Sequence, residues 1–113
     1  MTLMRWKRSL QSMKSKLESY LGFARKSGNL VFGAGTCEAS MAKDKVKLLI
    51  IAEDTAENTK KKMISKAESM GVPYRVYGSA DELSRMTGAA GRNVFAVTDS
   101  NFAKIIDEQI GLE

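Results

Sequence analysis

Residues 46–62, V-K-L-L-I-I-A-E-D-T-A-E-N-T-K-K-K, join an apolar run to a charged helix start. Leu48 to Ala52 are five apolar residues in a row, with Val46 just ahead, and the run stops at Glu53-Asp54. An unbroken run of this length reads as a strand buried on both faces. Asp54 or Thr55 is expected to cap the helix that follows, with Glu57 in its first turn. Lys60, Lys61 and Lys62 then crowd the first two turns, where the helix dipole favours anions over cations. Those lysines serve either an anionic partner or a solvated basic face.

Working outward, the same alternation recurs. Met13, Leu17, Tyr20, Leu21 and Ala24 have helical spacing, and Gly28 follows Arg25-Lys26 as a natural stop. Leu30 to Phe32 reads as a short strand, and Gly33-Ala34-Gly35 turns into a helix reaching about Ala42. The central strand spans Val46 to Glu53. A helix from Asp54 to Met70 buries Met63, Ile64, Ala67 and Met70. Pro73 forbids its continuation, and Pro73 to Tyr77 reads as a strand whose proline marks a strand start or a sheet edge. Ser79 to Glu82 is a capping box opening a helix that ends at Gly88. Val94 to Val97 is a second buried strand, and Asp99 caps a last helix. The order α-β-α-β-α-β-α-β-α specifies an α/β sheet covered by helices on both faces. Residues 1–12 read as a basic, flexible N-terminal extension, and residues 13–113 as a single domain.

The chain has 113 residues, a net charge of +5 and no histidine. Its isoelectric point of about 9.4 lies in the range of nucleic-acid binders. The charge is uneven, because residues 1–28 hold seven basic side chains and one acid. Lacking histidine, the chain lacks the commonest general base and the commonest transition-metal ligand. A single cysteine, Cys37, leaves no internal disulfide and no Cys-rich zinc site. Cys37 is expected to be a small core residue. There is no membrane-length apolar stretch and no secretory signal pattern, so a cytoplasmic location is expected.

Two segments could carry function. At Gly33-Ala34-Gly35-Thr36 a strand runs into a glycine turn and a helix, whose first N–H groups can meet an anion or base edges. The turn is also a partial dinucleotide fingerprint. Glu38 stands at its third-glycine position, and Glu53, eighteen residues after Gly35, stands near the ribose-acid position. The second segment, Ala89-Ala90-Gly91-Arg92-Asn93, is a small loop that could grip phosphate or pack on unstacked bases. Its alternative is an ordinary connection.

Taken together, several stretches resemble the bacterial, YlxQ-type branch of the kink-turn RNA-binding ribosomal-protein family. They are Leu21 to Gly28 with Gly33; Leu48 to Asp54 with Asn58 to Lys62; Gly71 to Tyr74; Glu82-Leu83 with Gly88; and Val97 to Asp99 with Phe102 to Lys104. The resemblance implies a three-layer α/β/α sandwich with a mixed four-stranded sheet. It implies noncatalytic binding of kink-turn-like structured RNA, in particular ribosomal RNA in ribosomal particles, with no cofactor or metal. In that family the start of the second helix enters an internal loop, with a Gly, a polar residue, a Glu or Thr, and a Lys. Gly33 and Thr36 match that pattern, whereas Gly35 and Ala39 are bare. The expected RNA-binding residues are Lys26, Gly33, Gly35, Thr36, Lys43, Lys60, Arg92 and Asn93. Lys43 would reach back along the helix face that Gly35 and Ala39 share. Two other readings remain: a nucleotide-binding enzyme using Gly33-Ala34-Gly35, or a protein-interaction domain that has lost RNA binding.

Overall fold

The run Leu48–Ile51 becomes an inner strand, which is why its residues are apolar on both faces. A computed structural model of the chain describes residues 16–112. In chain order it comprises α1 (16–26), β1 (Leu30–Phe32), α2 (Ala34–Ala42), β2 (Leu48–Ile51) and α3 (Glu57–Ser69). β3 (Tyr74–Val76), α4 (Ala80–Thr87), β4 (Val94–Val97) and α5 (Ser100–Gly111) follow. The expected extension at residues 1–12, and Met13, lie outside the described residues.

The sheet order is β1-β4-β2-β3. β4 is antiparallel to both its neighbours, while β2 and β3 run parallel, so the sheet is mixed. Alternation along each strand divides the core in two. Leu48, Ile50, Phe95 and Val97 face Leu17, Leu21 and Ala24 of α1, Leu83 of α4, and Ala103, Ile106 and Ile110 of α5. Leu49, Ile51, Val94 and Ala96 face Cys37 and Met41 of α2 and Met63 and Ala67 of α3. Helices therefore cover both faces, in the three layers that the resemblance implies. The edge strand β3 begins directly after Pro73, where a missing N–H costs no inner ladder bond. An ion pair of 2.7 Å from Arg75 to Asp107 ties that edge to α5 and raises the Arg75 pKa, chiefly through the hydrogen bond.

Local signals at the helix ends act as the residues suggest. Ser79 accepts from the Glu82 N–H at 3.1 Å and Asp99 from the Phe102 N–H at 2.9 Å. Gly28 adopts φ 78°, and the Asn29 N–H reaches back to the Ala24 carbonyl, closing a Schellman turn. Three expectations fail. α3 starts at Glu57 with Ala56 as N-cap, and no side chain caps it. Asp54 instead accepts from the Ala80 N–H at 2.9 Å and so serves α4, while Thr55 is buried with its hydroxyl 3.5 Å from the Asn93 carbonyl. Met70, expected inside, is exposed because the helix ends there.

The lysine cluster is also largely absorbed within the protein. Lys62 and Lys66 pair with Glu38 of α2 at 3.2 and 3.5 Å, bracing α2 against α3. Lys60 donates to the Glu53 carbonyl at 2.9 Å and lies 3.6 Å from Glu57. Lys61 stays exposed.

α2 closes with the same Schellman pattern as α1, through Lys45 N–H to Ser40 and Asp44 N–H to Met41. Here the left-handed position, φ 58°, is held by Asp44. That backbone strains a residue with a Cβ, and a carboxylate opposes the dipole at a helix C-terminus. Asp44→Gly is expected to raise stability by about 0.5–1 kcal/mol, read from the urea midpoint. Asp44→Asn should gain only the smaller, electrostatic part.

The hydrogen bond from Lys62 is the main cause that holds the Glu38 carboxyl below its ordinary 4.5; burial, next in size, opposes it, and the charges of Lys62 and Lys66 add to the lowering. A carboxyl depressed by folding stabilises the protein fully above its unfolded pKa and loses that contribution as pH falls through the folded value. Below about pH 4.5 the stability of the parent should therefore fall more steeply than that of Glu38→Gln. Denaturation at a series of pH values checks this, and parallel acid limbs would remove Glu38 from the brace.

Candidate nucleic-acid interface

β1 runs into α2 through Gly33, which adopts φ 92° and provides no side-chain cap. The Gly33 N–H bonds the Val94 carbonyl at 2.8 Å, and the first helical bond runs from the Cys37 N–H to the Gly33 carbonyl at 2.9 Å. The N–H groups of Ala34, Gly35 and Thr36 precede that bond and have no partner in the helix. They point outward with the positive end of the dipole. Gly35 and Thr36 are exposed, and a Cβ added at Gly35 would meet nothing within 4 Å. The helix start is thus open backbone.

The register brings other segments to this place. Phe32 lies opposite Phe95, and Ile51 opposite Val94, so the ends of β1 and β2 adjoin the beginning of β4. The loop before β4 therefore stands beside the α2 start. Ser84 fixes it, donating to the Arg92 carbonyl at 3.1 Å and accepting the Arg92 N–H at 3.4 Å. The Asn93 carbonyl accepts the Ala52 N–H at 2.9 Å. From this anchored backbone the Arg92 guanidinium extends over the Phe32 ring, 5.8 Å from its centroid. Its Nη1 lies 3.5 Å from where a Gly33 Cβ would be, with Thr36 Oγ1 at 4.0 Å from the same point. Arg25, from the last turn of α1, reaches the same ring at 5.4 Å.

Of the expected residues, Gly33, Gly35, Thr36 and Arg92 come together at this end of the sheet. Asn93 is half-buried next to Arg92. Lys60 lies at the same end, although its ammonium is already engaged by Glu53 and Glu57. Lys26 is exposed, one residue beyond Arg25. Lys43 is the C-cap of α2, about 12 Å from the helix start at 1.5 Å per residue. Two members were not expected: Arg25 and Phe32. Arg25 reads as a helix-end cation and Phe32 as a core strand residue, and only the folded chain puts one over the other.

Arg25 and Arg92 have no carboxylate within ion-pair distance among the described residues, whereas Lys60, Lys62, Lys66 and Arg75 each have one. Two like charges on one ring, beside three outward N–H groups, can hold anionic oxygens and offer planar guanidinium faces to a base.

The arrangement disfavours a dinucleotide. β1 is an edge strand antiparallel to its one neighbour, whereas the dinucleotide fingerprint follows an inner strand of a parallel sheet. Glu38, at the third-glycine position, faces α3. Cys37 is fully buried, its thiol pushed up to about 12 by desolvation, so the helix start does not make it a nucleophile.

Comparison with known proteins gives a consistent assignment. The ribosomal protein L7Ae/L30e/S12e/Gadd45 family matches residues 15–107. The chain is 34% identical to "RNA-binding protein YlxQ" of Enterococcus faecium over 86% of this chain and 93% of that protein. It is 35% identical to the Bacillus subtilis protein of the same name, over 74% and 83%. A Bacillus halodurans protein of unknown function superposes with a TM-score of 0.82 at 30% identity, over 85% of this chain and 97% of that one. A Giardia lamblia 15.5 kD RNA binding protein shares the fold, with a TM-score of 0.71 at 20% identity over 89% and 87% of the two chains. The sheet order, the covered faces and the matched span agree: the chain belongs to the ribosomal protein L7Ae/L30e/S12e/Gadd45 family, in its bacterial YlxQ-type branch.

Proposed function

We propose that this protein is a noncatalytic RNA-binding module for kink-turn-like structured RNA, in particular ribosomal RNA in ribosomal particles, in the cytoplasm. One observation carries the reading: the N–H groups of Ala34 to Thr36, without a partner among the described residues, stand beside the Arg25–Phe32–Arg92 group. The names of the two YlxQ relatives support it. Phosphate oxygens meet the helix start and the guanidinium groups, and the loop at Ala89 to Asn93 packs against unpaired nucleotides. Affinity arises from neutralised phosphate, and selectivity from RNA shape. No step requires a cofactor or a metal ion.

The bare positions give a second reading its footing. A protein-interaction domain descended from an RNA binder would also tolerate Gly35 and Ala39.

Two measurements separate these readings. Binding to a kink-turn RNA is expected to weaken with salt with a log–log slope of about −3 to −5, for roughly four to six phosphate contacts. Arg92→Ala should weaken binding about tenfold or more, as loss of a charged contact does. A flat salt response, or no affinity at low salt, would favour the interaction domain.

Side chains can also be restored to the helix start. Gly35→Asn projects into open space, and Ala39→Lys lies on an exposed position of the same helix. Each is expected to strengthen kink-turn binding by about 1 kcal/mol, with little change in helix stability. Titrations of parent and variants against one RNA decide this. If neither substitution moves the affinity, α2 does not face RNA.

A further inference from the structure

Beside the Arg25–Phe32–Arg92 group the surface continues into a cleft of about 400 Å³ between α1 and α4. The two helices approach closely there, a Cβ added at Gly22 standing 3.6 Å from the Met86 carbonyl. Phe23 lies on this cleft and is 58% exposed, although an aromatic ring on a helix ordinarily turns inward. Lys26 and Arg85 line the cleft with Arg25, and Glu18 is the acid among the lining residues. None of the three cations has a carboxylate partner within ion-pair distance among the described residues. Arg25 joins this cleft to the helix start: its Nη1 lies 3.1 Å from where a Gly88 Cβ would be, while its guanidinium covers Phe32.

We propose that this α1–α4 cleft is a second RNA contact, which takes an unpaired strand leaving the structured element bound at the α2 start. The inference rests on the RNA-binding reading above. One base stacks on Phe23, and the phosphates on either side meet Lys26 and Arg85. Three features select this occupant. The cations without partners complement a phosphate chain. The surface is continuous with the site at Phe32. An exposed ring suits a base whose face is free, which paired bases in a helix do not offer. Stacking of this kind tolerates any base, so the cleft adds affinity without adding sequence preference.

The test compares one kink-turn RNA with blunt ends against the same RNA carrying a single-stranded tail of about six nucleotides, on either strand end. The parent is expected to bind one of the tailed RNAs about tenfold more tightly than the blunt one, the scale of one stacked base. Phe23→Ser and Arg85→Gln, both at exposed positions, should each lose most of that gain while their affinity for the blunt RNA stays within about twofold. Arg85→Gln should also lower the salt slope for the tailed RNA by about 0.7. Circular dichroism confirms that the variants fold. Equal affinity of the parent for blunt and tailed RNAs overturns the cleft as an RNA contact, leaves RNA binding itself intact, and makes a protein the better occupant. A gain that survives Phe23→Ser also overturns it. No binding of the parent to any of these RNAs overturns both the cleft and the reading on which it rests.

Discussion

The antiparallel pairing of β4 with both β1 and β2 is the constraint on which everything else depends. β4 is buried throughout and bonded along both edges. Its direction, opposite to that of its neighbours, brings two strand ends and one strand beginning to the same side of the sheet. The Val94 carbonyl accepts the Gly33 N–H, and the Asn93 carbonyl accepts the Ala52 N–H. Those two bonds place the glycine turn, the Arg92 loop and the exit of β2 within reach of one another. Had β1 joined β4 in parallel, Gly33 and Arg92 would lie at opposite ends of the sheet, and the guanidinium could not reach Phe32.

Charge is sorted by the fold rather than spread over it. Lys60, Lys62 and Lys66 of α3 and Arg75 of β3 meet carboxylates, and there they brace the structure. Exposed ion pairs of this sort contribute little each, commonly below about 1 kcal/mol. Their larger consequence is negative: they take Lys60, Lys62 and Lys66 out of the pool available to a partner. Among the described residues, the cations at the end of α1 and before β4 are left without carboxylates, and two of them rest on Phe32. An aromatic face holds a guanidinium in place without neutralising it. The ring therefore orders these side chains while preserving their charge, and it lowers the entropy lost when an anion arrives.

The parts of the structure legible in the sequence are those whose cause is local. The run at Leu48 to Ile51, the helical spacing of Leu17, Leu21 and Ala24, the Ser79 and Asp99 caps and the stop at Gly28 all act within one element. So does Pro73, which marks the edge strand. What could not be read is contact between elements. Asp54 has the residue type and position of an α3 cap, and nothing near it in sequence indicates that the start of α4 competes for its oxygen. Lys62 and Lys66 lie on one face of α3, but Glu38, more than twenty residues earlier, decides their use. The candidate site divides in the same way. Gly33, Thr36 and Arg92 follow from a glycine turn, a family pattern and a loop. Arg25 and Phe32 are parted by a helix end, and only the packing of α1 against the sheet makes them neighbours. Lys43 caps the far end of α2, about 12 Å from the helix start.

The open backbone at the α2 start then bears on what such a site can distinguish. A side chain at Gly35 would present fixed donors and acceptors to a base edge, and the discrimination of one base from another comes from such groups. Backbone N–H groups are donors alone, and their spacing is set by the helix rather than by a partner. They suit phosphate oxygens, which every nucleotide carries. The guanidinium faces on Phe32 are equally indifferent to which base lies against them. A site built from these parts measures where phosphates and exposed base faces stand relative to one another. On the RNA-binding function proposed above, such a site responds to the bend and the unpaired positions of an RNA more than to its sequence. The rigidity that such a measurement needs is supplied by the two backbone bonds to β4 and by the Ser84 contacts that pin Arg92.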